Sequence, residues 1–302
     1  MDADSICQKI FWNVRLPKVF YHTIARISTV EGDGLPKTGG SQRTTGRMHR
    51  SSAAKKSQRH QYELSRSNLQ PKRLLVLMDF TSAQLSTKPG GDKIVQDCII
   101  VAEYIEHGQL QRINYDFLCD DESNKNDYHF VLAVWVWLFM VEKLKDRFEE
   151  IEIWTDGGPH HFKTKYCQFM WHALSTLRFD RKRMIHNFFA SYHGGSLADG
   201  HAAHVKKIMH SQYKISWQQR LSRCRDALYW GPSSASEIAA LVSQRCANTR
   251  AHVFPDIDRT ESNKPSVNGI NSIKTMHSFV YENGTCRAAK GTRDETTFPF
   301  SF

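Results

Sequence analysis

The stretch Leu74-Leu-Val-Leu-Met-Asp79-Phe80 carries the first decision about the fold. Five apolar residues in a row, without alternation, describe a strand buried on both faces, which needs cover above and below it. A carboxylate closing such a run is costly to bury unless a metal, hydrogen bonds or a cation compensates it. Two further segments carry the same signature, Ile151-Glu-Ile-Trp-Thr-Asp156-Gly157-Gly158 and His193-Gly-Gly-Ser-Leu-Ala-Asp199-Gly200. The first ends another apolar strand in an acid, and the second opens a helix with one. Three such acids invite one shared explanation, a divalent metal site.

Working outward from Leu74, Val95 to Ile105 is rich in Ile and Val, and Leu110 to Leu118 alternates around Ile113, Tyr115 and Phe117. His107-Gly108 supplies a turn between them, which predicts a hairpin leading on from the first strand. Asp127 ends a polar loop and is placed to cap a helix from about Tyr128 to Arg147. A fourth strand runs into Asp156, Gly157-Gly-Pro159 turns the chain, and His161 to Leu177 reads as a second helix with Phe162, Tyr166, Phe169 and Met170 on one face. Met184 to Ala190 gives a fifth strand, and Ala198 to about Tyr213 a third helix with Lys206 and Lys207 exposed. This order predicts an α/β core over residues 74–230, a mixed five-stranded sheet with helices on both faces. The carboxyl ends of its first and fourth strands lie side by side, and a helix after the fifth reaches the same spot. Asp79, Asp156 and Asp199 are therefore expected to converge.

The rest of the chain frames this core. Its 302 residues are 40% apolar, with a formal net charge of +10. Residues 36–73 hold ten Lys or Arg against the single acid Glu63, so the basic excess is local. With few apolar residues, this segment is expected to be a disordered basic linker, suited to phosphate contacts or simply solvated. Residues 1–35, with Ile10-Phe-Trp12 and Val19-Phe-Tyr21, receive no structural assignment. In residues 231–302, Ser234-Ala-Ser-Glu237 reads as a capping box, and His252 to Ile257 and Met276 to Tyr281 as strands, the latter followed by the turn Glu282-Asn-Gly284. These predict a small C-terminal α+β accessory unit.

Seven cysteines stand singly with no Cys-x-x-Cys pair, which argues for a reducing compartment and against a zinc ribbon. The longest apolar run, Phe130 to Val141, is too short for a membrane span, so no membrane partner is expected. The Lys/Arg-rich linker favours the nucleus over the cytoplasm.

Three carboxylates from separate elements suit magnesium or manganese, which prefer oxygen donors to imidazole or thiolate. Two such ions activate an attacking oxygen and stabilise a leaving one, the requirement of phosphodiester cleavage and strand transfer. Asp79 is the expected bridge, with Asp156 and Asp199 each holding one ion. DNA is the implied partner; no small-molecule cofactor is implied, and a homo-oligomer is compatible with this reading.

The blocks Met78-Asp79-Phe80, Thr155-Asp156-Gly157-Gly158-Pro-His-His-Phe162-Lys163 and Phe188-Phe-Ala-Ser-Tyr-His193-Gly194-Gly-Ser-Leu-Ala-Asp199-Gly200-His-Ala-Ala-His-Val205-Lys206 resemble those of transposon-derived proteins. The chain resembles members of the DDE/D transposase and retroviral-integrase superfamily over roughly Leu74 to Tyr213, and the interval from Asp156 to Asp199 is similar to the second-to-third acid spacing there. The resemblance implies a ribonuclease H-like catalytic core with Asp79, Asp156 and Asp199 as catalytic and metal-binding residues. It also implies Lys163, His193 and Lys206 as substrate contacts. The chain departs from the pattern at Thr81-Ser-Ala83, where an acid, Asn and Tyr are expected. His161 stands where Gln precedes Phe-Lys, and Gly195 where His-Gly is followed by Lys. These departures support the alternative, a domesticated or decayed relative that binds DNA or protein without catalysis.

Plainer roles compete residue by residue. Asp156 before two glycines is a common turn opening, and Asp199 suits a helix N-cap. His201 and His204, one helical turn apart, could hold zinc, although no third ligand has a motif spacing.

Overall fold

Successive side chains of β1 (Arg73–Ser86) enter two different cores. Leu74, Val76 and Met78 pack under α2 (Tyr128–Val141) and α4 (Lys165–Leu177). Leu75 and Leu77 pack under α1 (Thr45–Ser67) and α5 (residues 197–208). A continuous apolar run is thus satisfied by helices on both faces, and each fully buried Leu or Val contributes about 1.5–3 kcal/mol. The structure is a computed structural model. It describes residues 45–86, 92–119, 126–158, 162–189, 196–208, 234–254, 257, 259, 273–290 and 298–300.

The remaining elements are β2 (Asp92–Glu106), β3 (Gln109–Cys119), α3 (Leu144–Arg147), β4 (Glu150–Asp156), β5 (Arg183–Phe189), α6 (Ala235–Arg245) and β6 (Thr249–Phe254). β7 (Ser278–Glu282), β8 (Thr285–Ala289) and β9 (Phe298–Phe300) follow. All nine strands form one mixed sheet in the order β6-β3-β2-β1-β4-β5-β7-β8-β9. β1 pairs antiparallel with β2 and parallel with β4, and β4 runs parallel with β5. The hairpin between β2 and β3 turns at His107 (φ 51°) and Gly108 (φ 73°). Two adjacent positive φ values match the right-handed twist of the flanking strands. Asn283 (φ 52°) and Gly284 (φ 73°) turn β7 into β8 the same way.

The expected α/β mixed sheet with helices on both faces is present, but its extent differs from the five strands read from the sequence. The C-terminal strands do not form a separate small unit. β6 pairs in parallel with β3 across Asn114↔Thr249 to Cys119↔Phe254, and β7 pairs antiparallel with β5, so the two flank one sheet. Open backbone edges on β3 and β5 account for this, because an unpaired edge accepts any strand the chain can deliver.

The basic linker is a second correction. Within 36–73, residues 45–67 form α1. Tyr62 packs its ring edge-on against the Trp154–Phe189 pair, at 5.8 and 5.7 Å between centroids. Ser65 donates to Glu152 and Arg66 to Glu103, both at 2.8 Å. Few apolar residues suffice because Arg66 of α1, together with Arg112 of β3, neutralises the otherwise costly Glu103, which is 1% exposed.

Two helix boundaries also move. The helix expected over Tyr128 to Arg147 starts as predicted, with the Asp127 side chain accepting from Phe130 N, but stops at Val141. Glu142 turns inward to pair with Arg250 of β6, and Lys143 takes a left-handed conformation (φ 52°). The second helix begins at Lys165, where Thr164 caps Cys167 N. Phe162 is instead buried and stacks on Phe80 at 5.0 Å. Trp135, Trp137, Phe169 and Trp171 are core residues. No helix among the described residues is long and apolar enough to cross a membrane.

Candidate functional site

β1 does not end at Asp79. It continues to Ser86 paired with β2, while its pairing with β4 stops at Met78↔Thr155. Asp79 and Asp156 therefore stand next to one another where the two strands part, Asp156 closing β4. Asp199 arrives from the first turn of α5, whose Ala198 packs in the cluster with Leu77 and Trp154. The Asp79 carboxyl is pushed up to about 6, chiefly by burial and further by Asp199 and Asp156, against a lowering by the Phe80 N–H. The structure thus brings the three acids within electrostatic reach of one another.

Each acid is also held locally. Phe80 N donates to Asp79 Oδ1 at 2.8 Å, and Gly158 N donates to Asp156 Oδ2 at 3.1 Å. Ser196 N and Oγ donate to Asp199 Oδ2 at 2.8 and 2.7 Å, while Asp199 N donates to Ser196 Oγ at 3.1 Å. This is a reciprocal capping box, so Ser196 is the N-cap and Asp199 the third helical residue. The turn role weighed for Asp156 is real, whereas the N-cap expected at Asp199 falls to Ser196, which Asp199 reaches back to from the first helical turn. Asp156 Oδ1 is buried without a partner among the described residues.

With the side chains in these positions, no three described His, Cys, Asp or Glu groups surround a point that could hold a metal ion. By chemistry the three acids fit magnesium or manganese: they are hard oxygen donors, and the orphaned Asp156 Oδ1 is an acceptor that a cation would satisfy.

The residues read as substrate contacts separate. Lys206 is exposed on α5. Lys163 is 5% exposed, with its ammonium 5.0 Å from the Phe188 ring centroid, and burial lowers it to about 8. That position is in the packing, away from the surface where a phosphate backbone would lie. His193 is outside the described residues.

Sequence reading missed a second acidic group on the same sheet face. Ile99 pairs with Asp79 on one side and Asp116 on the other, and Asp97 stands two residues from Ile99. Asp97 and Asp116 are 1% and 0% exposed, and each leaves Oδ1 buried without a partner among the described residues. Burial first, and then Asp116 beside it, raise Asp97 well above the usual carboxylate range. His201 of α5 donates from Nε2 to Asp116 Oδ2 at 2.7 Å, with its side chain 7% exposed, so it faces a carboxylate of β3 while His204 faces solvent. The signal was available: Val95-Gln-Asp97-Cys-Ile and Asn114-Tyr-Asp116-Phe-Leu each carry an acid inside an apolar run, as at Asp79.

The family described as a domain of unknown function (DUF8701) matches residues 99–289, well over half of the chain. The chain belongs to the DUF8701 family. The matched DUF8701 region contains Asp116, Asp156, Asp199 and His201 and begins after Asp79. No curated protein matches the chain. Among solved structures, one described as "Crystal structure of NurA bound to dAMP and manganese" aligns at 11% identity with a TM-score of 0.16. The alignment covers 68% of this chain and 46% of that one, so the chain spans less than half the length of that protein. Similarity at this level establishes no shared fold.

Proposed function

We propose that this DUF8701 protein is a metal-dependent DNA nuclease or polynucleotidyl transferase of transposase-like type, with Asp79, Asp156 and Asp199 as its acids. The observation that carries the reading is the meeting of three carboxylates, from β1, β4 and α5, where β1 parts from β4. The central order β3-β2-β1-β4-β5, in which β2 alone runs opposite to the others, supports a ribonuclease H-like core.

Magnesium or manganese, when bound, supplies Lewis acidity and lowers the pKa of a coordinated water or hydroxyl. Asp79 and Asp156 would hold it from adjacent strands, and Asp199 from the helix. Burial and, after it, repulsion from Asp199 and Asp156 raise Asp79, and a cation held among the three acids would offset that repulsion. Lys206, exposed on the helix that carries Asp199, is placed to meet substrate phosphate. Nuclear localisation is part of the same proposal, resting on the basic segment around α1.

The second reading, a relative that binds without cutting, is favoured by one observation. All three acids already accept backbone hydrogen bonds, and no described group of three stands ready around a metal position. Cleavage and strand transfer on nicked and duplex DNA with manganese, comparing wild type with Asp79→Asn and Asp156→Asn, separates the two. Metal-dependent activity lost in both variants supports the enzyme. An inert wild type that also fails to bind manganese supports the second reading.

A further inference from the structure

α1 runs antiparallel to β4, and its contacts mark its height along the strands. Ser65 meets Glu152, Tyr62 meets Trp154, and Gln58 meets His277 at 3.2 Å. His277 O accepts from Phe188 N, and Phe188 pairs with Thr155, so Gln58 stands level with the residue before Asp156. The thirteen helical residues preceding Gln58 therefore continue past the carboxyl edge of the sheet, on the side where the three acids sit. At 1.5 Å per residue they extend about 20 Å beyond it.

This projecting half is charged in one sense only. Arg47, Arg50, Lys55, Lys56 and Arg59 lie in the first fifteen residues of α1, and no acid does. Lys56 and Arg59 are exposed. The docked half differs, since Arg66 is committed to Glu103. A helix that buried nothing along its projecting half and merely needed solubility would mix both signs, as i to i+4 pairs stabilise it.

We propose that the amino-terminal half of α1 is an arm that tracks the phosphodiester backbone of duplex DNA and delivers it to the three acids. The proposal rests on the reading of those acids as a DNA site. An anionic substrate approaching three carboxylates is repelled, and a cationic rod beside them offsets this within a Debye length of about 8–10 Å. The dimensions agree: at about 3.4 Å per phosphate along one strand, a rod of about 20 Å faces roughly six phosphates, and its thirteen residues offer four cations, with Arg59 directly behind them. Tyr62, packed against both Trp154 and Phe189 in the cluster that also contains Ala198, fixes the arm to the packing under the site.

The test is the salt dependence of duplex DNA binding by the full chain, comparing wild type with the quintuple variant Arg47→Gln, Arg50→Gln, Lys55→Gln, Lys56→Gln, Arg59→Gln. Gln preserves helix propensity, and helicity by circular dichroism verifies that α1 persists. Lys72→Gln, removing a cation at the opposite edge, is the charge control. The expected result is a loss of affinity of about 100-fold or more near 0.1 M salt, with the log–log slope shallower by about 3 to 4.5. An unchanged slope in the quintuple variant, or an equal loss in Lys72→Gln, overturns the arm. Asp156→Asn separates this from the catalytic reading, because it leaves DNA affinity in place while abolishing metal-dependent cleavage. Strong arm-dependent binding by a wild type that never cleaves would retain the arm and overturn catalysis.

Discussion

His201 Nε2 lies 2.7 Å from Asp116 Oδ2, a contact that fastens α5 to β3 two residues after Asp199. The same helix is held at its start by the Ser196–Asp199 capping box and in its last turns by Val205 and Ile208, packed with Val95 and Leu118. Asp199 is thus held within electrostatic reach of Asp79 by a helix clamped at both sides of it.

Breaking the clamp loosens the helix selectively. Asp116→Ala strands the His201 imidazole and is expected to cost about 1–3 kcal/mol, the usual penalty for leaving a buried hydrogen-bonding group without its partner. Hydrogen exchange is expected to accelerate across residues 197–208 more than across β1 and β4. Equal protection of α5 in both proteins would show that the helix is held without the pair.

Stability responds to pH through Asp79. Its folded-state pKa of about 6 lies above the ordinary 3.8, so its contribution is complete below about pH 4 and is lost as pH rises through about 6. Asp79→Asn is expected to be more stable than wild type near pH 8, by at most about 3 kcal/mol, and no more stable near pH 4. Denaturant titrations at the two pH values check this; a gap that widens toward acid would reverse the sign and refute it.

Gly158 guards the orientation of Asp156. A Cβ built at Gly158 meets Asp156 Oδ2 at 2.8 Å, so Gly158→Ala must turn the carboxylate aside. Because the displaced atom ends a side chain, the fold is expected to lose less than about 1 kcal/mol. Manganese-dependent activity is expected to fall as far as in Asp156→Asn, measured alongside Tm. Full activity in Gly158→Ala would show that this orientation is not needed.

Tyr62 is the anchor of α1. Tyr62→Ala removes the ring packed against Trp154 and Phe189 and is expected to cost about 3 kcal/mol. Trp154 then becomes more exposed, which its fluorescence emission and quenching report. An unshifted spectrum with unchanged Tm would mean that α1 docks through its polar contacts alone.

Local pattern was the legible part. The apolar run Leu74–Met78 announced a strand covered on both faces, His107-Gly108 announced its hairpin, Asp127 and Ser234 announced their helices, and Asp79, Asp156 and Asp199 announced a place worth finding. Asp97 and Asp116 carried the same signal inside Val95–Ile100 and Asn114–Leu118, where only the pairing of β2 with β3 shows that they meet. The end of α2 at Val141 was hidden, since it depends on Glu142 meeting Arg250 from a distant strand.

What the sequence determined by itself was periodicity and the position of each acid, both written in adjacent residues: a strand or helix depends on neighbours one to four places away. What tertiary structure decided was which distant edges and charges meet. β6 joined β3 and β7 joined β5 because those edges offered unpaired backbone groups. A segment poor in apolar residues docks as α1 through Tyr62 on Trp154 and Phe189, Ser65 on Glu152 and Arg66 on Glu103. Such partners lie tens to hundreds of residues away along the chain, and their attraction acts only once the sheet has brought them within reach.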